Sequence, residues 1–266
     1  MFLGVDANNM QNQLDAAVWP GISGILLSGA RDKSLLRVTS ANMDEMEGRR
    51  GIRNGSLEII PLLDTAAAVW NVREIISAVP RIRQVILDES SLAHDVGITP
   101  DINIDPFVYA RGRVIAEAIS KGVQPVGDPH PIGTLLSDFP RSRLMAEGTR
   151  FKDLGFKGLL FQNTNWVSTM NLAFTPSDDL VEYYQTVRRL FAEGVARGTA
   201  AVPLGTRMID VPVDEWAKAV LARSSRCKTR DQQKADATQK LAVSYTHLRA
   251  HETRHDIVCR LLLEKK

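Results

Sequence analysis

The sequence lacks the features that mark several classes of protein. Only two cysteines, Cys227 and Cys259, occur among its 266 residues, so a disulfide framework is excluded and a reducing compartment is expected. The longest uncharged apolar run, around residues 22–27, is far shorter than the ~20 residues that a membrane helix needs. No basic segment followed by an apolar segment of the secretory type follows Met1. We therefore expect a cytoplasmic protein with no membrane partner.

The body of the chain also lacks an excess of positive charge. Residues 225–266 carry ten Lys or Arg and only five Asp or Glu, so the other residues are mildly acidic although the whole chain has a formal net charge of +2. A basic face of the kind that binds nucleic acid is therefore not expected. The 44% of hydrophobic residues are enough to bury one large core or two small ones.

Short apolar runs alternate with amphipathic stretches up to about residue 222. Their nearly continuous apolar composition is typical of strands that are covered on both faces. The runs that we read as strands are Phe2–Val5, Gly24–Leu27, Leu57–Leu63, Gln84–Leu87, Gln124–Val126 and Gly158–Phe161. Strands that alternate with helices predict an α/β fold with a parallel sheet, either a barrel or an open sheet.

Three helices are marked by their apolar spacing or by their first residues. The spacing predicts helices over residues 66–77 and over residues 107–121, the second ending at Gly122. A third helix is expected at Thr175, where a capping residue precedes Pro176 at the first helical position and Asp178 in the first turn.

The end of the chain differs from the body. Residues 223–243 are polar and have no apolar stripe, which predicts a solvated linker. Residues 244–266 resemble a translated sequencing-adapter tail, and we expect this tail to be non-native, and disordered or helical. Its His247, His251, His255 and Cys259 are spaced by four, which suits zinc ligands on one helix face, but the adapter interpretation is favoured.

Three segments occur in an order that is typical of one enzyme family. They are Pro61–Ala66 with Asn71–Ile75, then Tyr109–Ile115, then Phe174–Ser177 with Met208–Pro212. In these segments, and in the lengths between them, residues 1–222 resemble the citrate lyase beta-subunit-like branch of the HpcH/HpaI aldolase superfamily.

The resemblance implies a (β/α)8 TIM barrel that forms a homo-oligomer, a trimer or a multiple of one. It also implies a lyase that makes or breaks a carbon–carbon bond in a hydroxy- or keto-acid or its coenzyme A thioester. A magnesium ion polarises the substrate oxygens in that chemistry, at the carboxyl ends of the barrel strands. Family members begin with two further strands, so the likeness implies an amino-terminally truncated, incomplete barrel of about six strands.

The metal ligands that the resemblance implies are only partly present. The glutamate ligand of the family falls on Asp64, which we expect to bind the metal and to take part in catalysis. The aspartate ligand falls on Ser91, and a neutral serine is a poor magnesium ligand, so Ser91 is left as a substrate-binding candidate. Asp88 or Glu89 could replace it, because Glu89 lies two residues before Ser91 and would share its face if the strand continued that far.

Three further residues are candidates for the site. Asp128 and His130 follow the strand over residues 124–126, so both are expected to face the barrel mouth and to bind substrate. Asp210 matches a family residue that acts in acid/base chemistry at the site of a neighbouring subunit. Its alternative role is to start a helix before Pro212.

Other family positions are lost. The substrate-binding arginine falls on Gly4, and a lysine and a glutamate that end another strand fall on Gly29 and Arg31. Two functions therefore stay open. One is a divergent metal-dependent carbon–carbon lyase, and the other is a non-catalytic barrel scaffold that binds a ligand or a family partner.

Overall fold

The structure is a computed structural model that describes residues 1–98, 105–128, 140–161 and 163–249. The chain divides into two compact units, Met1–Phe174 and Thr175–Lys266. We refer to them as unit 1 and unit 2.

Unit 1 contains one parallel sheet in which every strand pairs with the next strand along the chain. Its strands are β1 (Phe2–Asp6), β2 (Gly24–Ser28), β3 (Glu58–Leu63), β4 (Gln84–Leu87), β5 (Gln124–Gly127) and β6 (Gly158–Leu159). All six predicted strands are therefore confirmed. Among the described residues β1 and β6 do not pair with each other, so the sheet is not closed and the expected incomplete α/β barrel is confirmed.

Helices lie between the strands of unit 1, and one helix follows the last strand. They are α1 (Met10–Ala17), α2 (Lys33–Arg49), α3 (Ala66–Trp70), α4 (Val72–Ile76), α5 (Glu89–Asp95), α6 (Val108–Ser120), α7 (Arg141–Leu154) and α8 (Val167–Phe174). The helix predicted over residues 66–77 is in fact two short helices that meet at Asn71. The Asn71 N–H donates to the Ala67 carbonyl, which ends α3, while its own carbonyl accepts from Glu74 and Ile75 and starts α4.

The two faces of the sheet bury different sets of side chains. On one face Val5, Leu27, Leu63 and Leu87 join the main core, which the helices cover. On the other face Ile60, Ile86 and Val126 form a smaller apolar cluster. We call the second face the inner face. Successive side chains of a strand alternate between the two faces, so the residue that follows each strand can be assigned to one of them.

A buried ion pair lies at the amino ends of β3 and β4. Glu47 at the end of α2 is fully buried and accepts hydrogen bonds from the Gly55 and Leu57 N–H groups, at 2.7 and 2.9 Å. The Arg81 guanidinium donates to both oxygens of Glu47, at 3.2 and 3.1 Å, and also to the Leu57 carbonyl. These donors hold the pKa of Glu47 below its ordinary value despite the desolvation by burial.

Helix α7 packs on the end of β5 with no room for a side chain between them. A Cβ added to Gly127 would lie 2.5 Å from Cδ1 of Phe151, which is only 1% exposed. Glycine at this position therefore lets the phenyl ring rest directly on the strand.

Unit 2 consists of α9 (Asp178–Ala196), β7 (Val202–Leu204), β8 (Arg207–Ile209) and α10 (Val211–Arg249). Strands β7 and β8 are antiparallel, and Val187, Phe191, Ile209 and Ala217 form the core of the unit. The predicted start of α9 is wrong by two residues. The Ser177 side chain accepts from the Leu180 N–H, so Ser177 is the cap and the helix begins at Asp178.

The expected linker, residues 223–243, lies within helix α10. Its function as a linker stays a prediction, as does the non-native origin of residues 244–266. Of the four tail residues with zinc-ligand spacing, His251, His255 and Cys259 lie outside the described residues. No helix within the described ranges is long and apolar enough to cross a membrane.

Candidate functional site

Three aspartates follow neighbouring strands at the carboxyl end of the sheet. Asp64 follows β3, Asp88 follows β4 and Asp128 follows β5. Leu63 and Leu87 are register partners, and the Asp88 N–H donates to the Leu63 carbonyl at 3.2 Å, which brings Asp64 and Asp88 side by side. Alternation along the strands places all three aspartates on the inner face. We call these three aspartates the carboxyl rim.

Asp64 is half-buried, and its two oxygens have different surroundings. Oδ2 accepts a hydrogen bond from the Gly29 N–H at 2.7 Å. Oδ1 is buried and has no hydrogen-bond partner among the residues that the structure describes. Desolvation raises the pKa of Asp64, and the nearby Asp88 charge raises it further, while the Gly29 hydrogen bond and the Arg31 charge oppose the shift. A cation beside Asp64 and Asp88 would stabilise both charged carboxylates and would therefore oppose the rise in the pKa of Asp64.

Asp88 serves as the cap of helix α5. Its Oδ1 accepts from the Ser91 N–H at 2.9 Å, and its Oδ2 accepts from the Ser91 hydroxyl at 2.7 Å. The Ser91 hydroxyl therefore donates its hydrogen bond to the Asp88 carboxylate. This bond fixes the orientation of Asp88 and brings two of the predicted site residues together.

Glu89 does not extend strand β4, so the expectation that it shares the face of Ser91 is wrong. The strand ends at Leu87, and Glu89 begins helix α5. Its buried carboxylate accepts from Nε and Nη2 of Arg111, whose Nη1 donates to Asp105. Burial raises the pKa of Glu89 despite Arg111, and the Asp128 charge adds to the rise. Because both Glu89 oxygens bind Arg111, Glu89 is poorly placed to bind a metal.

The remaining candidates have other surroundings. Asp128 is buried, and the Ser90 hydroxyl donates to its Oδ2 at 3.5 Å. Asp210 belongs to unit 2, is exposed, and accepts from the Val213 N–H at 3.1 Å, which is the geometry of a helix-start residue. Its catalytic role stays a prediction. His130 lies outside the described residues.

The carboxylates present could supply some, but not all, of the ligands of a magnesium ion. The described residues include no group of three or more His, Cys, Asp or Glu side chains that could hold a metal. Magnesium is, however, commonly bound by one or two carboxylates together with water and substrate oxygens. Asp64 and Asp88 supply two adjacent carboxylates, and the unpartnered Asp64 Oδ1 is an oxygen that a cation would satisfy.

Sequence reasoning missed two groups that shape the site. The Gly29 N–H positions Asp64, and its signal is a glycine directly after β2, where φ is +74° and a side chain would be strained. Arg111 binds Glu89 from helix α6, and its 22-residue separation from Glu89 leaves no local signal.

Curated relatives with similar sequences are lyases. The chain is 25% identical over 191 residues to the L-malyl-CoA/beta-methylmalyl-CoA lyase of Rhodobacter capsulatus, covering 65% of this chain and 58% of that enzyme. It is 22% identical over 218 residues to the citrate lyase subunit beta of Leuconostoc mesenteroides subsp. cremoris, covering 82% of this chain and 70% of that subunit. The chain therefore spans less than two thirds of the malyl-CoA lyase.

Solved structures show the same fold. A citrate lyase from Burkholderia xenovorans LB400 matches with a TM-score of 0.69 at 16% identity, covering 85% of this chain and 72% of that chain. The protein CitE from Mycobacterium tuberculosis, in complex with magnesium, acetoacetate and coenzyme A, matches with a TM-score of 0.54 at 17% identity, covering 84% of this chain and 97% of that chain.

The sequence model of one family matches residues 4–164, which is more than half of the chain and overlaps all six strands of the sheet. The chain belongs to the HpcH/HpaI aldolase/citrate lyase family.

Proposed function

We propose that this chain is a divergent carbon–carbon lyase that acts on a hydroxy- or keto-acid or its coenzyme A thioester. The observation that carries the proposal is the adjacent pair of Asp64 and Asp88 at the carboxyl ends of β3 and β4. One buried oxygen of Asp64 lacks a hydrogen-bond partner within the described part of the chain. The carboxyl ends of the strands are where barrel enzymes place their chemistry.

Asp64 and Asp88 are the residues that would hold a magnesium ion. When bound, the ion supplies Lewis-acid polarisation of a substrate oxygen. The chain itself orients both carboxylates, because Gly29 fixes Asp64 and Ser91 fixes Asp88. We assign substrate contacts to Ser91, Asp128 and His130, a catalytic role as metal ligand to Asp64, and acid/base chemistry to Asp210.

A complete site in this proposal needs more than one chain. Asp210 is assigned to the site of a neighbouring copy, in a homo-oligomer that is a trimer or a multiple of one. The proposed setting is the cytoplasm, with a small carboxylic acid or coenzyme A thioester as the partner molecule.

A non-catalytic scaffold is the second candidate. It is favoured by the commitment of Glu89 to Arg111 and by the open sheet, which among the described strands leaves β1 and β6 with one neighbour each. In that case the chain binds a ligand or a family partner without turnover.

Magnesium titration calorimetry on the full chain tests the metal site. We expect binding that is lost in Asp64→Asn and in Asp88→Asn, since each change removes one charged ligand. Asp153→Asn is the matched control, because Asp153 is an exposed aspartate that pairs with Lys152. Equal binding by Asp64→Asn would remove the proposed site.

Turnover separates the two candidate functions. Cleavage of malyl-CoA with magnesium, absent in Asp64→Asn and retained in Asp153→Asn, is the result expected of a lyase. Magnesium binding without cleavage of malyl-CoA, citrate or citryl-CoA would favour the scaffold.

A further inference from the structure

Unit 2 contains a cavity that the proposed function does not use. Its volume is about 270 Å³, and it lies between α9, β8 and the first turns of α10. The side chains that matter for its chemistry are Tyr183, Tyr184, Arg207, Met208, Pro212 and Trp216. For comparison, a dry cavity of about 150 Å³ binds benzene, so this cavity has room for one or two fused rings.

The walls of the cavity are aromatic and partly open to solvent. The rings of Tyr183 and Tyr184 meet edge to face with centroids 5.1 Å apart. Trp216 and Met208 are 63% and 59% exposed, which is a large exposure for apolar side chains that line one cavity. Exposed apolar surface of this kind commonly marks a binding site, and aromatic faces favour a planar ring as the occupant.

The base of the cavity is fixed by the core of unit 2. Ile209, which lines the cavity, is 1% exposed and packs with Val187, Phe191 and Ala217. The hairpin of β7 and β8 holds Arg207 and Met208 in register with Leu204 and Pro203. The cavity therefore exists without a ligand, and binding does not have to order its walls.

Arg207 places an uncompensated positive charge at this aromatic cavity. It is exposed, and its guanidinium forms no hydrogen bond or ion pair with any other residue in the described ranges. The acids near it in the sequence have other partners. Asp210 accepts from the Val213 N–H, Asp214 pairs with Arg188 and Lys218, and Glu215 pairs with Lys218.

We propose that this cavity binds a planar aromatic anion, with the ring against the tyrosine and tryptophan side chains and the negative group on Arg207. The aromatic walls account for the ring, and the free guanidinium accounts for the charge, because guanidinium binds carboxylate, sulfonate or phosphate oxygens with paired hydrogen bonds. A cationic ligand is disfavoured by Arg207, although aromatic walls alone would suit one.

A matched pair of probes tests ring and charge separately. Naphthalene-1-sulfonate and the neutral naphthalene-1-methanol are titrated into the full chain by calorimetry. We expect the sulfonate to bind once per chain and the alcohol more weakly. In Arg207→Gln the sulfonate affinity should fall about tenfold, the usual loss for a charged hydrogen bond, while the alcohol affinity stays unchanged.

Two further variants make the result decisive. Arg197→Gln removes another exposed arginine of unit 2 and should leave both affinities unchanged. Trp216→Ala should weaken both probes, with far-ultraviolet circular dichroism showing that the fold is retained. Equal sulfonate binding by Arg207→Gln and the original chain would overturn the proposal. Analytical ultracentrifugation shows whether the chain forms a dimer that dissociates when the probe binds. If the probe binds only as the dimer dissociates, the proposal is overturned, because a second copy of the chain is then the occupant of the cavity.

Discussion

Two buried pairs of glutamate and arginine lie at opposite ends of the same sheet. Glu47 and Arg81 lie at the amino ends of the strands, and Glu89 and Arg111 at the carboxyl ends. Glu47 receives two backbone N–H groups as well as its arginine, and its pKa is lowered. Glu89 also has its arginine, but burial raises its pKa, and the nearby charge of Asp128 adds to the rise.

The difference shows what each end of the sheet is arranged to do. Hydrogen bonds to a charged carboxylate compensate its desolvation, so the ion pair at the amino end stabilises the fold. At the carboxyl end several acids are brought near each other, which opposes their ionisation. Perturbed carboxylates of this kind commonly accompany functional sites.

The largest expected effect comes from breaking the pair at the amino end. Arg81→Met should lower the free energy of unfolding by about 3–5 kcal/mol, because it leaves Glu47 charged and buried without its partner. Urea denaturation followed by circular dichroism measures the change. The double variant Glu47→Leu/Arg81→Met should recover much of the loss, and no recovery would contradict this account of the single variant.

Arg111→Met should lower the free energy of unfolding by less, about 2 kcal/mol, when it is measured by the same urea denaturation. The raised pKa of Glu89 means that this carboxyl takes up a proton more readily when its arginine is removed. A loss equal to that of Arg81→Met at the same pH would break the comparison between the two ends.

The two glutamates should have opposite pH dependence. The contribution of Glu89 is fully present below the ordinary glutamate pKa of about 4.3 and is lost as the pH rises through its raised pKa. The contribution of Glu47 is fully present above that ordinary value and is lost as the pH falls through its lowered pKa. Unfolding free energies of the original chain, Glu47→Gln and Glu89→Gln between pH 3 and 7 measure both trends, and parallel curves would refute the assignment.

The smallest effect should come from an exposed pair. The Lys33 Nζ and the Glu74 Oε2 lie 2.8 Å apart, and both side chains are about half exposed. Lys33→Ala should change the free energy of unfolding by less than about 1 kcal/mol, since water and salt screen the interaction. A loss as large as that of Arg111→Met would mean that burial is not what distinguishes the pairs.

The regular part of the fold is predictable from local pattern. The apolar runs identify all six strands, because a strand buried on both faces needs an unbroken apolar sequence. Boundaries are less predictable. Asn71 divides one predicted helix into two through hydrogen bonds of its backbone. Ser177 rather than Thr175 caps α9, since a short polar side chain near a helix end has several possible hydrogen bonds.

The candidate site is less predictable than the sheet. The positions of Asp64 and Asp88 follow from the rule that parallel strands end at one edge. The orientation of Glu89 does not, because it depends on Arg111 in another helix. The cavity of unit 2 was also missed, although Gly205 between two apolar segments is a turn signal for the hairpin of β7 and β8.

The contact of Phe151 with Gly127 links two positions that are far apart in the sequence. Gly127 directly precedes Asp128, so the same phenyl ring that seals α7 against β5 also sets how far the Asp128 backbone can shift. In descendants of this sequence, a larger residue at position 127 should therefore arise together with a smaller one at position 151. The two positions are expected to covary as a pair, because one side chain can grow only as the other becomes smaller.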